Sequence, residues 1–237
     1  MARLTAAQRR ADALVAARRL IVTQGTEAAS VRNVAEEAGM SAGSLRHIFP
    51  SHEDLFIALL QDAEDSTRRR IGEVAQGARS AGERGEVVDV RAVGLEMLMQ
   101  IEPFGGGDGG DGGGGSGVGS GAGDGSGGTR SELLAQLAVL TANPGNARLA
   151  EIRRVTGEAI DGLCVDVVRG VAEAAGVATA GVGTHDVGAL DVDAAALELR
   201  LIIDGISLRA LENPDFTEAD ARGVLTAPLD RLVPPAG

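Results

Sequence analysis

Apolar residues recur along this chain at helical rather than alternating spacing. Leu14, Ala17 and Ile21, with Val15 and Val22 beside them, draw one stripe over residues 5–24. Thr5 and Gln8 open that helix at the spacing of a capping box, in which each side chain satisfies a backbone N–H, and Gly25 ends it. Val31, Val34, Ala35 and Ala38 predict a short second helix capped by Ser30. Gly39 supplies the left-handed position that ends it cheaply. Ser41 then caps a third helix over Ala42 to Ile48, and Phe49-Pro50 closes it, because the residue before a proline disfavours helix. Ser51 and Asp54 cap a fourth helix. Its apolar face of Leu55, Phe56, Leu59, Leu60, Ala63, Ile71 and Val74 reaches about Arg79, a length of roughly 40 Å.

The same spacing predicts helices over about 87–101, 131–141, 144–175, 192–212 and 217–233. Asn143-Pro144 reads as a cap followed by proline at the first helical position, Asp191 caps the next helix, and Pro228 lies inside the last. Over 192–212, Leu197, Leu201, Gly205 and Leu208 share one face, while Leu199, Ile202, Ile203 and Ile206 share another. A helix apolar over so wide an arc is buried on two sides, one its own core and the other a partner subunit. Gly105 to Gly128 carries 16 Gly in 24 residues and reads as a flexible insertion, and Gly176 to Gly188 reads as a loop. The expected fold class is all-α. An N-terminal three-helix domain spans 1–52, and a C-terminal helical domain spans 53–237.

Helix, tight glycine-containing turn and helix from Ser30 to Phe49 form a helix-turn-helix pattern. The second helix of such a unit lies in the DNA major groove with its N-terminal residues at base edges. Ser41, Ala42, Gly43 and Ser44 begin that helix. Their small side chains suit close approach to bases, and they also suit a plain cap and turn. Arg46 and His47 are the best candidate polar contacts, Arg32 is placed to hold the DNA backbone, and His52 starts the fourth helix within reach of phosphate. Phe49 reads as core. Arg9, Arg10, Arg18 and Arg19 lie mostly off the apolar stripe; a solvated face and phosphate contact both remain open for them. Arg68, Arg69 and Arg70 read most simply as a solvated run.

Composition narrows the chemistry. All 22 basic residues are Arg, so a P-loop lysine, a Schiff-base lysine and a lysine general base are excluded. The net charge of −12 is unevenly spread. Residues 1–50 hold seven Arg against four acids, a net +3, and the remainder carries −15. The basic end is the helix-turn-helix end, and the local field governs contact with phosphate. No stretch of 18 residues is uniformly apolar and no signal-peptide pattern is seen at the N-terminus, so neither a membrane span nor a signal peptide is expected. Cys164, being alone, allows no internal disulfide and points to a cytoplasmic setting. Cys164 stands alone on an apolar helix face and reads as a buried small hydrophobe. Scattered His47, His52 and His185 lack metal-ligand spacing, and Asp108, Asp111 and Asp124 lack the EF-hand pattern. No metal, no cofactor and no enzyme activity are expected.

Residues 9–66, and above all VRNVAEEAGMSAGSLRHIFPSHEDLFIALL from Val31 to Leu60, resemble the DNA-binding head of the tetracycline-repressor (TetR) family of bacterial transcriptional regulators. On that likeness the TetR-type domain extends to about residue 69. LIIDGISLRALENP, TEADARGVL and LDRL resemble the final helices of the branch related to the choline-responsive repressor. The resemblance implies that 53–237 is the regulatory and dimerisation domain, with a homodimer through the last long helices and a double-stranded, near-palindromic DNA operator. It further implies repression released by a small-molecule effector of unknown identity. Met97, Leu98, Ile101, Leu137 and Ile152 are candidate pocket residues, each more simply read as core. Many family members carry Tyr where Arg46 or Ile48 stands here, so Arg46 and His47 would replace its phosphate contact. A second reading is a helical dimeric DNA-binding or interaction module without ligand response, the glycine-rich insertion having replaced the pocket walls.

Overall fold

The computed structural model describes residues 5–102, 129–180, 189–213 and 215–233. Gly105 to Gly128, with its three Asp, and His185 lie outside the described residues. The helices are α1 (Ala6–Gln24), α2 (Val31–Glu37), α3 (Ala42–Ile48), α4 (His52–Glu83), α5 (Val90–Met99), α6 (Thr129–Ala142), α7 (Ala147–Ala174), α8 (Val192–Glu212) and α9 (Glu218–Arg231). The all-α expectation holds. Among the described residues the additions are a short 3-10 turn at Thr26–Ala28 and a parallel ladder of two-residue strands, β1 (Thr179–Ala180) and β2 (Leu190–Asp191), flanking the expected loop.

Helix ends follow local chemistry. Thr5 and Gln8 form the capping box, and Ser30, Ser41 and Asp191 each accept a backbone N–H at their helix starts. Two boundaries moved for the same reason. Asp89 accepts from the Ala92 N–H and starts α5 at Val90. Asn146, not Asn143, caps α7 by accepting from the Leu149 N–H at 3.1 Å. Asn143 instead donates to the Val139 carbonyl at 3.0 Å and closes α6. α9 runs through Pro228, which is buried.

The chain divides into two compact units, Met1–Ala63 with Gly106–Ile152, and Glu64–Gly105 with Arg153–Gly237. The first unit thus includes α6 with the helix-turn-helix. Leu14, Val34, Leu45, Leu55, Ala135, Val139 and Leu149 share one core. Arg18 is nearly buried against it, donating to Asp62 at 2.9 Å with Glu132 of α6 at 3.9 Å. Of the four α1 arginines, Arg18 is therefore an internal tie and is neither solvated nor free to meet phosphate. Arg148 lies 3.3 Å from both Glu53 and Asp54.

In the second unit Leu98, Met99, Cys164, Val168, Leu199, Ile203, Leu225 and Leu229 form the core. α8 uses its two apolar faces differently. Leu199, Ile203 and Ile206 are buried, while Leu197, Leu201 and Leu208 are more than half exposed. α5 meets α7 at Gly94, where an added Cβ would lie 2.8 Å from Val167 Cγ1. Val167 is buried and β-branched, so it has little room to move. Gly94→Ala is therefore expected to lower stability by about 1–3 kcal/mol, read as a lower urea midpoint at unchanged m-value.

Candidate DNA interface

The turn between α2 and α3 is built from backbone requirements. Gly39 sits at φ +62°, a region side chains avoid. Around it the Met40 N–H reaches the Ala35 carbonyl at 2.7 Å and the Gly39 N–H reaches Glu36 at 3.1 Å. These bonds satisfy the carbonyls that the end of α2 leaves open. Ser41 then accepts from the Ser44 N–H at 3.1 Å, and the two hydroxyls lie 2.9 Å apart. Leu45 is fully buried and anchors α3 to the unit's core, as is Phe49 nearly so.

That anchoring leaves Ser41, Ala42, Gly43, Arg46 and His47 exposed, with Ser44 half-buried. Arg32 at the start of α2 is exposed as well. Arg32, Arg46 and His47 form no ion pair with any described residue. Arg10 stands 5.5 Å over the Phe49 ring, and Arg19 pairs with Glu37 at 3.2 Å. His52 is exposed and packs its ring 4.0 Å from that of Phe56. Ser51 donates to Asp54 at 2.6 Å and holds that carboxyl below its ordinary range. α3 thus presents small residues at its start, with Arg46 and His47 exposed further along, on one short helix capped by Ser41.

A model of the tetR family of bacterial regulatory proteins matches residues 13–59, and one of the BetI-type transcriptional repressor C-terminal domain matches residues 123–234. The chain belongs to the tetR family. Over 68 residues it is 37% identical to the HTH-type transcriptional regulator PksA of Bacillus subtilis, which is 29% of this chain and a third (33%) of that relative. The fold of this tetR-family chain is shared with solved structures at low identity. A transcriptional regulator from Pseudomonas aeruginosa PAO1 has a TM-score of 0.66 at 21% identity, covering 97% of this chain and 92% of that one. One from Saccharomonospora viridis in complex with choline has a TM-score of 0.57 at 18% identity, covering 95% of each.

The candidate pocket residues are divided between the units: Met97, Leu98 and Ile101 belong to the second, Leu137 and Ile152 to the first. Leu98 is fully buried and Leu137 is exposed. A groove of ≈ 620 Å³ between the end of α8 and the start of α9 is lined by Arg209, Asn213, Phe216 and Asp220, and holds none of them. Cys164 is enclosed, and burial pushes its thiol up to about 11, so it is unreactive packing. Among the described residues no group of His, Cys, Asp and Glu is placed to hold a metal ion, and no helix is long and apolar enough to cross a membrane.

Sequence reasoning missed Glu102. It is fully buried just past α5, accepts from the Ser207 hydroxyl at 3.2 Å through Oε2, and has no partner for Oε1. Burial pushes its carboxyl up to about 8; the Ser207 hydrogen bond opposes the shift and the charge of Asp204 adds to it. A buried acceptor without a donor costs about 1–3 kcal/mol. Nothing in the local sequence distinguishes this glutamate from a solvated one at a helix end.

Proposed function

We propose that this chain is a dimeric, sequence-specific DNA-binding transcriptional regulator, a repressor acting in the cytoplasm and released from its operator by a small molecule. The exposed, ion-pair-free Arg32, Arg46 and His47 beside the small residues at the start of α3 carry the DNA-binding part. α3 would enter the major groove, with Ser41 to Ser44 at base edges and Arg32, Arg46, His47 and His52 on phosphate or guanine. The family membership supports repression, and the choline-bound relative supports an effector. Met97, Leu98 and Ile101 remain effector-contact candidates in the second unit, and Leu137 and Ile152 in the first.

DNA from around the protein's own gene tests the reading, titrated with salt. Nanomolar, sequence-selective binding with a steep salt slope is the expected result; weak, uniform binding there and to all other DNA contradicts it. Gly43→Leu sharpens the test. A Cβ at Gly43 meets nothing closer than Ser41 Oγ at 3.9 Å, so the fold accommodates the change. On DNA the added bulk occupies the helix–base gap, and affinity is expected to fall at least about tenfold at unchanged melting temperature.

Leu197, Leu201 and Leu208 support the dimer. They expose a leucine stripe on α8, the cost of which disappears when a second copy covers it. Leu201→Glu is expected to shift the protein from dimer to monomer in sedimentation equilibrium and to lower operator affinity at least about a hundredfold. The monomer reaches one half-site only.

A further inference from the structure

We propose that the second unit binds a small organic cation bearing N–H donors, an ammonium or amidinium on an apolar body, through the Glu102 carboxylate and the Ser207 hydroxyl. The inference rests on the effector-responsive reading above and names the chemistry of that effector. Glu102 is a carboxyl with no exposed surface, and one of its two oxygens has no hydrogen-bond partner. Ser207 of α8 supplies its one donor.

Among the described residues Glu102 forms no ion pair. Arg200, on the same helix as Ser207, is committed to Asp161, Asp204 and the Gly157 carbonyl. Arg70 of α4 donates to Ser66, Thr67 and the Gln100 carbonyl. Asp204 adds a second negative charge toward Glu102. A buried acid facing another acid, with one oxygen unused, is complementary to a donor that arrives from outside. Leu98 and Met99 precede Glu102 in the chain, Ile203 and Ile206 precede Ser207, and all four belong to the same unit's apolar core.

The donor needs an N–H. Quaternary ammonium ions carry none and are recognised through aromatic faces. This chain has no Trp and no Tyr, and of its four Phe, Phe49 and Phe56 are buried in the first unit. Among the described residues the second unit's core has one aromatic ring packed against it, Phe216, and an unpartnered carboxylate oxygen calls for an N–H donor rather than a ring face. The turn that carries Glu102 is held by i to i+3 bonds, from the Ile101 and Glu102 N–H groups to the Leu98 and Met99 carbonyls at 3.1 and 3.2 Å.

Calorimetry and thermal melts on the full-length protein without DNA test the proposal. The probes are hexylamine and benzamidine, their neutral counterpart hexanol, and the quaternary hexyltrimethylammonium and choline, at about pH 8.5, where the carboxyl is ionised. Glu102→Gln and Ser207→Ala are run beside the wild type. At least one N–H cation is expected to bind and raise the melting temperature, with hexanol and the quaternary ions at least about tenfold weaker. Glu102→Gln is expected to weaken that binding by about thirtyfold or more, and Ser207→Ala by less, with both variants still melting cooperatively. Quaternary ions binding as well as the amines overturns the proposal. So does unchanged affinity in Glu102→Gln, or no N–H cation binding at millimolar concentration. Because no DNA is present, these outcomes are separate from any failure of operator binding.

Discussion

Arg46→Ala is expected to weaken operator binding about a hundredfold while leaving the melting temperature unchanged. The stability half of that expectation follows from the side chain's exposure and its lack of an ion pair with any described residue. The binding half follows from symmetry. One arginine–guanine or arginine–phosphate contact is worth about 1–3 kcal/mol, and a dimer on a near-palindrome makes it twice. The variant also separates the two kinds of contact. If Arg46 holds phosphate, affinity falls uniformly across sequences and the salt slope drops by about two for the dimer. If it reads guanine, discrimination at one base pair per half-site relaxes and the slope changes less. Gel-shift titrations across several salt concentrations, on the operator and on single-base variants, distinguish these results.

Glu102→Gln is expected to make the protein more stable above neutral pH, by about 1–3 kcal/mol near pH 8.5. In the unfolded chain this carboxyl titrates near its ordinary 4.5, whereas burial raises it to about 8 in the fold. Between those values the unfolded state releases a proton that the folded state keeps. Stability from this group is thus fully present below about 4.5, falls as pH rises, and is lost above about 8, at up to about 1.4 kcal/mol per unit. Glutamine removes the slope but leaves its amide group short of an acceptor, which reduces the gain. The comparison is cleanest as the difference between wild type and variant from pH 5.5 to 8.5. Asp54 and Asp220, whose carboxyls are held low, lose their contribution only at more acidic pH. A difference that stays flat across that range contradicts an enclosed, uncompensated Glu102.

Much of the fold was legible because it is local. Ser30, Gly39 and Ser41 announce the helix-turn-helix through caps and a left-handed turn, and the structure places each in that role. The two leucine and isoleucine faces of α8 were visible in spacing alone, one now buried and the other exposed. What the sequence concealed depends on partners far along the chain. Arg18 looked like any surface arginine of α1, yet its partner Asp62 stands 44 residues away and Glu132 further still. Asn143 and Asn146 are equally good caps on paper, and only the path of the chain decides which one accepts the N–H. Gly94 reads as a weak helix position until Val167 is placed against it. For the candidate DNA interface, the sequence marked the bounds of the short helix α3 and its Ser41 cap as the structure has them. It had no means of showing that Arg10 and Arg19 are engaged by Phe49 and Glu37 while Arg32, Arg46 and His47 are exposed and form no ion pair with any described residue.

Selection of bound sequences from a random DNA pool by the purified full-length protein tests the central claim most directly. A dimer with α3 in successive major grooves is predicted to enrich a near-palindrome with half-site centres about 10 base pairs, or a multiple of that, apart. Arg46→Ala is predicted to lose or relax the motif, and Leu201→Glu to lose its two-fold symmetry. A pool that stays without any enriched motif through repeated rounds contradicts the account, and leaves the helix-turn-helix of this chain a scaffold without a reader's role.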